Sequence, residues 1–347
     1  MTPNISHSIN LLRVISIFLV LILHARTNID FSVEWVAAWS DIASRGFGAL
    51  GVPIFLVISG YLAGIKRTHG AAAETWTSWQ RRVKGLLAGY VFWNSLVALL
   101  VLFAVWLNFS MGSFLSGKLA GGWLSIFGLN DKFPIAYQFW FIRELLIFST
   151  MVFFVERLAA WSRLLAFVMI LAVVVAFFEV DGRSQMAALA YMAGYLAGHN
   201  DVVVSIMNAH CRHHLWLATM GATALLSLAI AAIHQDWNGL ALLSFMALGT
   251  VSLMGGAIGL VSKGWRLDAL ARWAPATFFI FAAHEPLLAL LRKMLIARVG
   301  PEWAYVAAPT VVVVVLISLY KLVPEGLKAR VWFVFSGAPR RQERASA

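Results

Sequence analysis

Arg13, Ser16 and His24 stand in one apolar run, Leu11-Leu12-Arg13-Val14-Ile15-Ser16-Ile17-Phe18-Leu19-Val20-Leu21-Ile22-Leu23-His24. An α-helix turns about 100° and rises about 1.5 Å per residue. The steps from Arg13 to His24 therefore return to within about 20° of one face, about 16 Å further along. Ser16 falls one turn after Arg13 on the same stripe. Imidazole takes up and releases protons near neutral pH, and guanidinium grips anions with a planar fork. Ionisable groups in a membrane helix are costly, so they face an interior cavity and mark a pathway or a reaction site.

Three further segments carry polar chemistry in apolar surroundings. The first is Gly51-Val52-Pro53-Ile54-Phe55-Leu56-Val57-Ile58-Ser59-Gly60-Tyr61-Leu62. Pro53 frees the carbonyl of Ala49, and Gly46, Gly48, Gly51, Gly60 and Gly64 permit close backbone approach. Helix packing and a site containing Ser59 and Tyr61 are both open readings of it. The second, Tyr137-Gln138-Phe139-Trp140-Phe141-Ile142-Arg143-Glu144, puts Tyr137, Trp140 and Glu144 on one helical face. Trp140 by itself reads more often as an interfacial anchor. Glu144 needs a partner; Arg143 points about 100° away, so that partner is expected on another helix. The third, Phe281-Ala282-Ala283-His284-Glu285-Pro286, sets two ionisable residues before a proline that frees the carbonyl of Ala282. His284 reads as a site residue or as a hydrogen-bonding link between helices.

The composition says what must position these residues. The chain has 347 residues, 61% hydrophobic and 12% charged, with a mean hydropathy of +0.80. A soluble domain carries about 25% charged residues, so the expected class is an all-α polytopic membrane protein. Apolar runs near 20 residues predict about ten spans: 9–25, 46–65, 86–107, 135–155, 164–180, 184–199, 215–233, 239–262, 276–297 and 303–323. The longest polar-leaning connections, 26–45, 66–85 and 108–134, are too small to bury a core of their own. The first span lacks the basic leader and cleavage site of a signal peptide and is expected to stay as a helix. Residues 1–336 read as one integral-membrane domain and 337–347 as a disordered basic cytoplasmic tail.

The net charge of +11 suggests nucleic acid only until the charges are placed. With the amino terminus inside, 18 of the 27 Lys and Arg fall at the inner face, 8 at the outer face, and Arg143 within the fourth span. Basic residues favour the cytoplasmic side, so both termini are expected there and no nucleic-acid partner is implied. Arg81, Arg82 and Lys84, like Lys263, Arg266 and Arg272, lie on inner connections. Phosphate binding and topology both account for them. The single cysteine, Cys211, excludes an internal disulfide framework. His210, His213 and His214 have helix-compatible spacing near His199 but no matching carboxylate or thiolate, so no metal is expected.

Taken in order, these segments resemble the acyltransferase-3 family of bacterial integral-membrane enzymes, which acylate carbohydrates and some small molecules. Arg13 and His24 match its Arg-x10-His signature. Pro53 to Tyr61 resembles its Pro-x-Phe-Phe-x-x-Ser-Gly-Tyr/Phe segment, with Leu56 in place of the second phenylalanine. Gln138-Phe139-Trp140-Phe141 looks like its His-x-Trp-Phe segment, with Gln138 in place of histidine. The run from Phe278 to Pro286 matches its aromatic-rich His-x-Pro segment. The family's Arg-x-x-Arg pair finds only Arg81-Arg82-Val83-Lys84, and some members add a soluble esterase-like domain that this chain ends too soon to hold. Transfer is then expected within the membrane core or by a separate protein.

The resemblance implies an acyl-CoA-dependent O-acetyltransferase of the bacterial cytoplasmic membrane. Acetyl-CoA, or another acyl-CoA, is the implied co-substrate on the inner side, and a cell-envelope or exported glycan or glycolipid is the acceptor. His24 is the candidate base, with Glu144 or Asp30 to orient it and His284 as the next candidate; a covalent acyl-His24 route is open. Arg13, with Arg81, Arg82 and Lys84, is expected at the acyl-CoA, and Ser59, Tyr61, Trp140 and Asp30 at the acceptor. The competing class is a transporter or flippase for a lipid-linked sugar or small anion, which intramembrane Arg and His suit as well.

Overall fold

The computed structural model describes residues 3–27, 29–68, 76–108, 112–130, 132–161, 182–199, 214–235, 239–265 and 267–336, and among these the regular elements are helices, with no strand. Seven stretches are long and apolar enough to cross a membrane: Pro3–Ala25, Glu34–Ile65, Trp79–Trp106, Tyr137–Leu158, Leu240–Ser262, Asp268–Val299 and Pro301–Leu322. Leu217–Ile233 is a shorter apolar helix. Helices lie at every expected span except 164–180, which falls outside the described residues, as do 337–347, His210 and His213. The chain is an all-α, polytopic membrane protein. An apolar run in lipid has no water for its amide groups, and the helix satisfies them within the segment.

The main helices are α1 (Pro3–Ala25), α2 (Glu34–Asp41), α3 (Gly51–Thr68), α4 (Trp76–Trp106), α5 (Ser113–Ala120), α6 (Gly122–Ile126), α7 (Trp140–Trp161), α8 (Gly182–His199), α9 (His214–Ile233), α10 (Leu240–Ser262), α11 (Thr277–Val299) and α12 (Pro301–Leu322). The polar-leaning connections are more ordered than the sequence suggests. Within 66–85, α4 already begins at Trp76, because Trp76 and Trp79 set their rings 5.8 and 4.9 Å from Phe153 of α7. Arg81, Arg82 and Lys84 therefore stand on a helix, not on a loop. Within 26–45 lies α2, which passes through a π-turn, Ile42–Gly46, and a 3-10 turn, Phe47–Leu50, into α3.

That irregular passage lies against α1. Ser44 Oγ donates to the Ile22 carbonyl at 2.6 Å and meets the Tyr305 hydroxyl at 2.9 Å. Glycine permits the approach: a Cβ at Gly48 would sit 2.8 Å from the Leu23 amide nitrogen, and one at Gly51 2.8 Å from the Ser16 carbonyl. Further along, Cβ atoms at Gly60 of α3 and at Gly194 and Gly198 of α8 would collide with the carbonyls of Tyr191, Val57 and Tyr61. The α3–α8 crossing is thus backbone on backbone, the close packing that small residues allow in membranes.

α1 is enclosed on several sides. Ile17, Val20 and Leu21 pack into one cluster with Trp93, Phe139 and Phe281. Ile5, Ile9, Leu11 and Leu12 pack into a second with Ile54, Tyr61 and Phe245. A helix apolar all round belongs in the interior of a bundle. Its polar residues are therefore held among other helices.

Candidate active site

α1 is unbroken from Pro3 to Ala25, so Arg13 and His24 keep the shared face expected of them. His24 ends the helix, where carbonyls lack intrahelical donors. Its own carbonyl accepts from Arg292 Nη1 of α11 at 3.0 Å and from the Thr27 amide at 3.2 Å. The imidazole meets the Tyr137 hydroxyl through Nδ1 at 3.0 Å, with the two rings edge-on. The ring of His284 lies 5.3 Å away, centroid to centroid.

Proline chemistry builds the opposite wall. Pro286 inside α11 removes the amide that would have bonded the Ala282 carbonyl. Gln138 Nε2 donates to that carbonyl at 3.3 Å. Gln138 is buried at the start of the α7 segment, and its neighbour Tyr137 turns to His24. Two residues after Ala282, His284 Nδ1 lies 2.6 Å from the Phe281 carbonyl. A carbonyl only accepts, so Nδ1 carries the proton and Nε2 is a bare acceptor. That Nε2 is buried without a partner among the described residues, as is Glu285 Oε2. His284, Glu285 and Arg292 are all under 9% exposed. The Glu285 carboxyl lies against the Tyr137 hydroxyl and within the field of the Arg292 guanidinium, with which it forms no ion pair among the described residues.

Three sequence segments are joined here by ring contacts, one stacked and one edge-on. Phe55 of α3 lies 6.1 Å from Phe141 of α7, and Phe141 lies 4.6 Å from Phe281 of α11. Ser59 spends its hydroxyl on its own helix, donating to the Phe55 carbonyl at 2.8 Å. Tyr61 is buried in the second cluster, and Trp140 packs half-buried against the first. Among the described residues, no hydrogen bond or ring contact joins these three to His24.

Glu144 does not join the histidines either. It is 3% exposed, and its Oε1 accepts from Arg143 Nη2 at 3.0 Å and from Ser184 Oγ of α8 at 3.4 Å. The expected partner on another helix is present, but Arg143 pairs with Glu144 as well, against expectation. Its long side chain folds back while also donating to the carbonyls of Gly128 and Lys132, at 2.6 and 3.0 Å. The expected common face of Tyr137, Trp140 and Glu144 is divided, because Tyr137–Phe139 is a 3-10 turn and the α-helix starts only at Trp140. A 3-10 turn advances faster around its axis, so Tyr137 and Glu144 reach different neighbours.

Asp30 is exposed and makes no ion pair among the described residues. Beside it, Arg26 reaches Asp41 at 3.3 Å and the Ile29 carbonyl at 2.5 Å. Arg13 is half-buried, and no acceptor among the described residues takes its guanidinium; the Ser16 hydroxyl on the same stripe is also unpartnered. Arg81 and Lys84 are exposed near the start of α4, while Arg82 is half-buried and donates to the Ser149 carbonyl at 3.4 Å. His199 and His214 end and begin helices, with nothing described of their side chains.

Sequence reasoning left Tyr137, Gln138, Glu285 and Arg292 outside the candidate site. One signal was available: Glu285 and Arg292 stand seven residues apart in one apolar span, hence on one face. The arrangement pairs two imidazoles, one with a bare nitrogen, with a tyrosine, a carboxylate and a guanidinium in an apolar shell. Such a set suits proton transfer during acyl transfer. No curated protein and no solved structure matches the chain. A family model described as an acyltransferase domain, acyltransferase-3, matches residues 6–321, nearly its whole length. The chain therefore belongs to the acyltransferase-3 family and is a membrane acyltransferase.

Proposed function

We propose that the protein moves an acyl group, in the first place acetyl, from acyl-CoA to a hydroxyl of a cell-envelope or exported glycan or its lipid-linked precursor. The observation that carries this is the placing of His24. Its Nδ1 is engaged by Tyr137, so Nε2 is the nitrogen left for substrate, beside a second imidazole and at the end of a helix whose lower turns carry Arg13. A sugar hydroxyl is a poor nucleophile and needs a base as it attacks a thioester. His24 Nε2 takes the hydroxyl proton while the oxygen bonds to the acyl carbon. The carbon–sulfur bond breaks, and Nε2 returns the proton to sulfur, giving the ester and free CoA thiol.

Arg13 stands about 16 Å from His24 along α1. That distance suits a role on phosphate or along the pantetheine arm, with the adenine end nearer Arg81 and Lys84. This geometry goes with both termini in the cytoplasm of a bacterial cell and with the acceptor reached from the far side, as the basic residues favour. A reporter fused to the carboxyl terminus tests that orientation.

The reaction itself is tested with purified protein in liposomes supplied with labelled acetyl-CoA and candidate glycolipid acceptors. Ester formation that needs both supports the proposal. Movement of the acceptor across the bilayer with no ester formed would establish the transporter reading instead.

A further inference from the structure

We infer that Tyr137 and Glu285 are positioning residues that set the tautomer and orientation of His24: Nδ1–H donates to the Tyr137 hydroxyl oxygen, and the Tyr137 O–H is directed to the Glu285 carboxylate. This rests on the reading of His24 as the base. The argument starts from donors and acceptors. A neutral imidazole carries one proton, and a general base must keep the other nitrogen bare. Tyr137 lies 3.0 Å from Nδ1 and also faces Glu285. With Glu285 ionised under the charge of Arg292, its carboxylate only accepts, and the one phenolic proton belongs with it. The phenolic oxygen then accepts from Nδ1–H, and Nε2 is free to receive the acceptor's proton.

The opposite tautomer needs the Tyr137 O–H aimed at Nδ1. It would set the phenolic oxygen against the Glu285 carboxylate, acceptor to acceptor, in a buried site where unpaired polar groups are costly. Thr27 lies near the same hydroxyl, and as a hydroxyl it can donate to that oxygen without disturbing the order. Arg292 holds the far end. It donates to the His24 carbonyl at 3.0 Å and acts on Glu285 through its charge, so one guanidinium fixes the histidine's backbone and favours the carboxylate. The two carboxylates suggested by sequence do not compete. Asp30 is exposed, and Glu144 is engaged by Arg143 and Ser184. The result is a carboxylate–tyrosine–histidine relay assembled from α11, the turn before α7, and α1.

The experiment is a double-variant cycle on the full-length protein in liposomes, measuring kcat, KM for acyl-CoA and acyl-CoA binding. Tyr137→Phe is nearly isosteric. It should lower kcat about 10- to 100-fold, since an orienting partner accounts for part of the general-base contribution, and leave acyl-CoA binding unchanged. Glu285→Gln should lower kcat in the native background and add nothing to Tyr137→Phe, because it acts through that hydroxyl. Retained acyl-CoA binding identifies folded protein in every variant. Tyr137→Phe with native kcat, beside an inactive His24→Gln, would overturn the relay and leave the base reading standing. An equal loss from Glu285→Gln in both backgrounds would also overturn it, since Glu285 would then act independently of Tyr137. A fully active His24→Gln would remove the base reading, and the relay with it.

Discussion

Glu144 and Glu285 are both buried carboxylates on helices of the bundle, at 3% and 7% exposure, yet their neighbours give them different work. Glu144 is enclosed by Arg143 and Ser184, and Arg143 extends to the carbonyls of Gly128 and Lys132. That network ties the carbonyls of Gly128 and Lys132 to α7. Glu285 faces Tyr137, which faces His24. Burial alone marks both residues as unusual. What each carboxylate faces separates an anchor from a member of the site.

The largest expected effect tests the site to which Glu285 belongs. His24→Gln keeps polarity and hydrogen bonding but removes the base, so kcat should fall by about 10²–10⁴ with acyl-CoA still bound. Turnover in liposomes checks it. An active variant would leave His284, with its bare Nε2, as the base and would break the link between Glu285 and catalysis.

Glu144→Gln sharpens the contrast from the other side. The substitution removes the charge that Glu144 sets against Arg143 in a buried pair. The loss of stability should be about 3 kcal/mol, the low end for such a break, because Arg143 is 19% exposed. Thermal unfolding in detergent reads it. The protein that remains folded should keep its kcat. A folded Glu144→Gln variant with collapsed turnover would place Glu144 in the chemistry after all and erase the distinction.

The sequence shows the helices well and the site unevenly, for one physical reason. Helices and the Arg13–His24 stripe follow from periodicity within a segment. The glycines of α3 likewise announce close packing before Tyr191, the residue that Gly60 meets, is known. Tyr137 reaches His24 because a 3-10 turn re-aims it, and Gln138 is buried because Pro286, nearly 150 residues later, frees a carbonyl. Neither effect has a local signature. Glu285 and Arg292 did have one in their spacing of seven, but Arg292 also fits a topological account as a basic residue near a helix end.

Arg13 lies in the turns of α1 that Glu285 does not reach, and it extends the comparison along that helix. The His24 end is crowded with protein partners, whereas Arg13 has none among the described residues. A guanidinium left open in an apolar stretch fits an anionic ligand. Arg13→Lys keeps the charge but loses the planar fork, so acyl-CoA affinity should fall about tenfold, the worth of roughly one charge-assisted hydrogen bond. Isothermal titration against acetyl-CoA measures it. Unaltered affinity with normal folding would argue that Arg13 answers to another helix.

The smallest expected effect lies at the start of α4, where Arg81 and Arg82 differ although adjacent. Arg81 is exposed, while Arg82 is half-buried and donates to the Ser149 carbonyl of α7. Arg81→Ala should therefore weaken acyl-CoA binding only a few-fold, because an exposed ion pair is worth about 0.2–1 kcal/mol. Raising the salt should diminish that difference, as contacts of exposed charges are screened within about 8 Å at physiological ionic strength. Arg82→Ala should add a loss of stability from the α4–α7 contact, which salt does not abolish. Binding isotherms at two ionic strengths, read beside thermal unfolding, separate the two residues. Equal, salt-independent losses of affinity from both would mean that these arginines act as packing residues, and would shift the phosphate contacts to Arg13 or to Lys263 and Arg272 beyond α10.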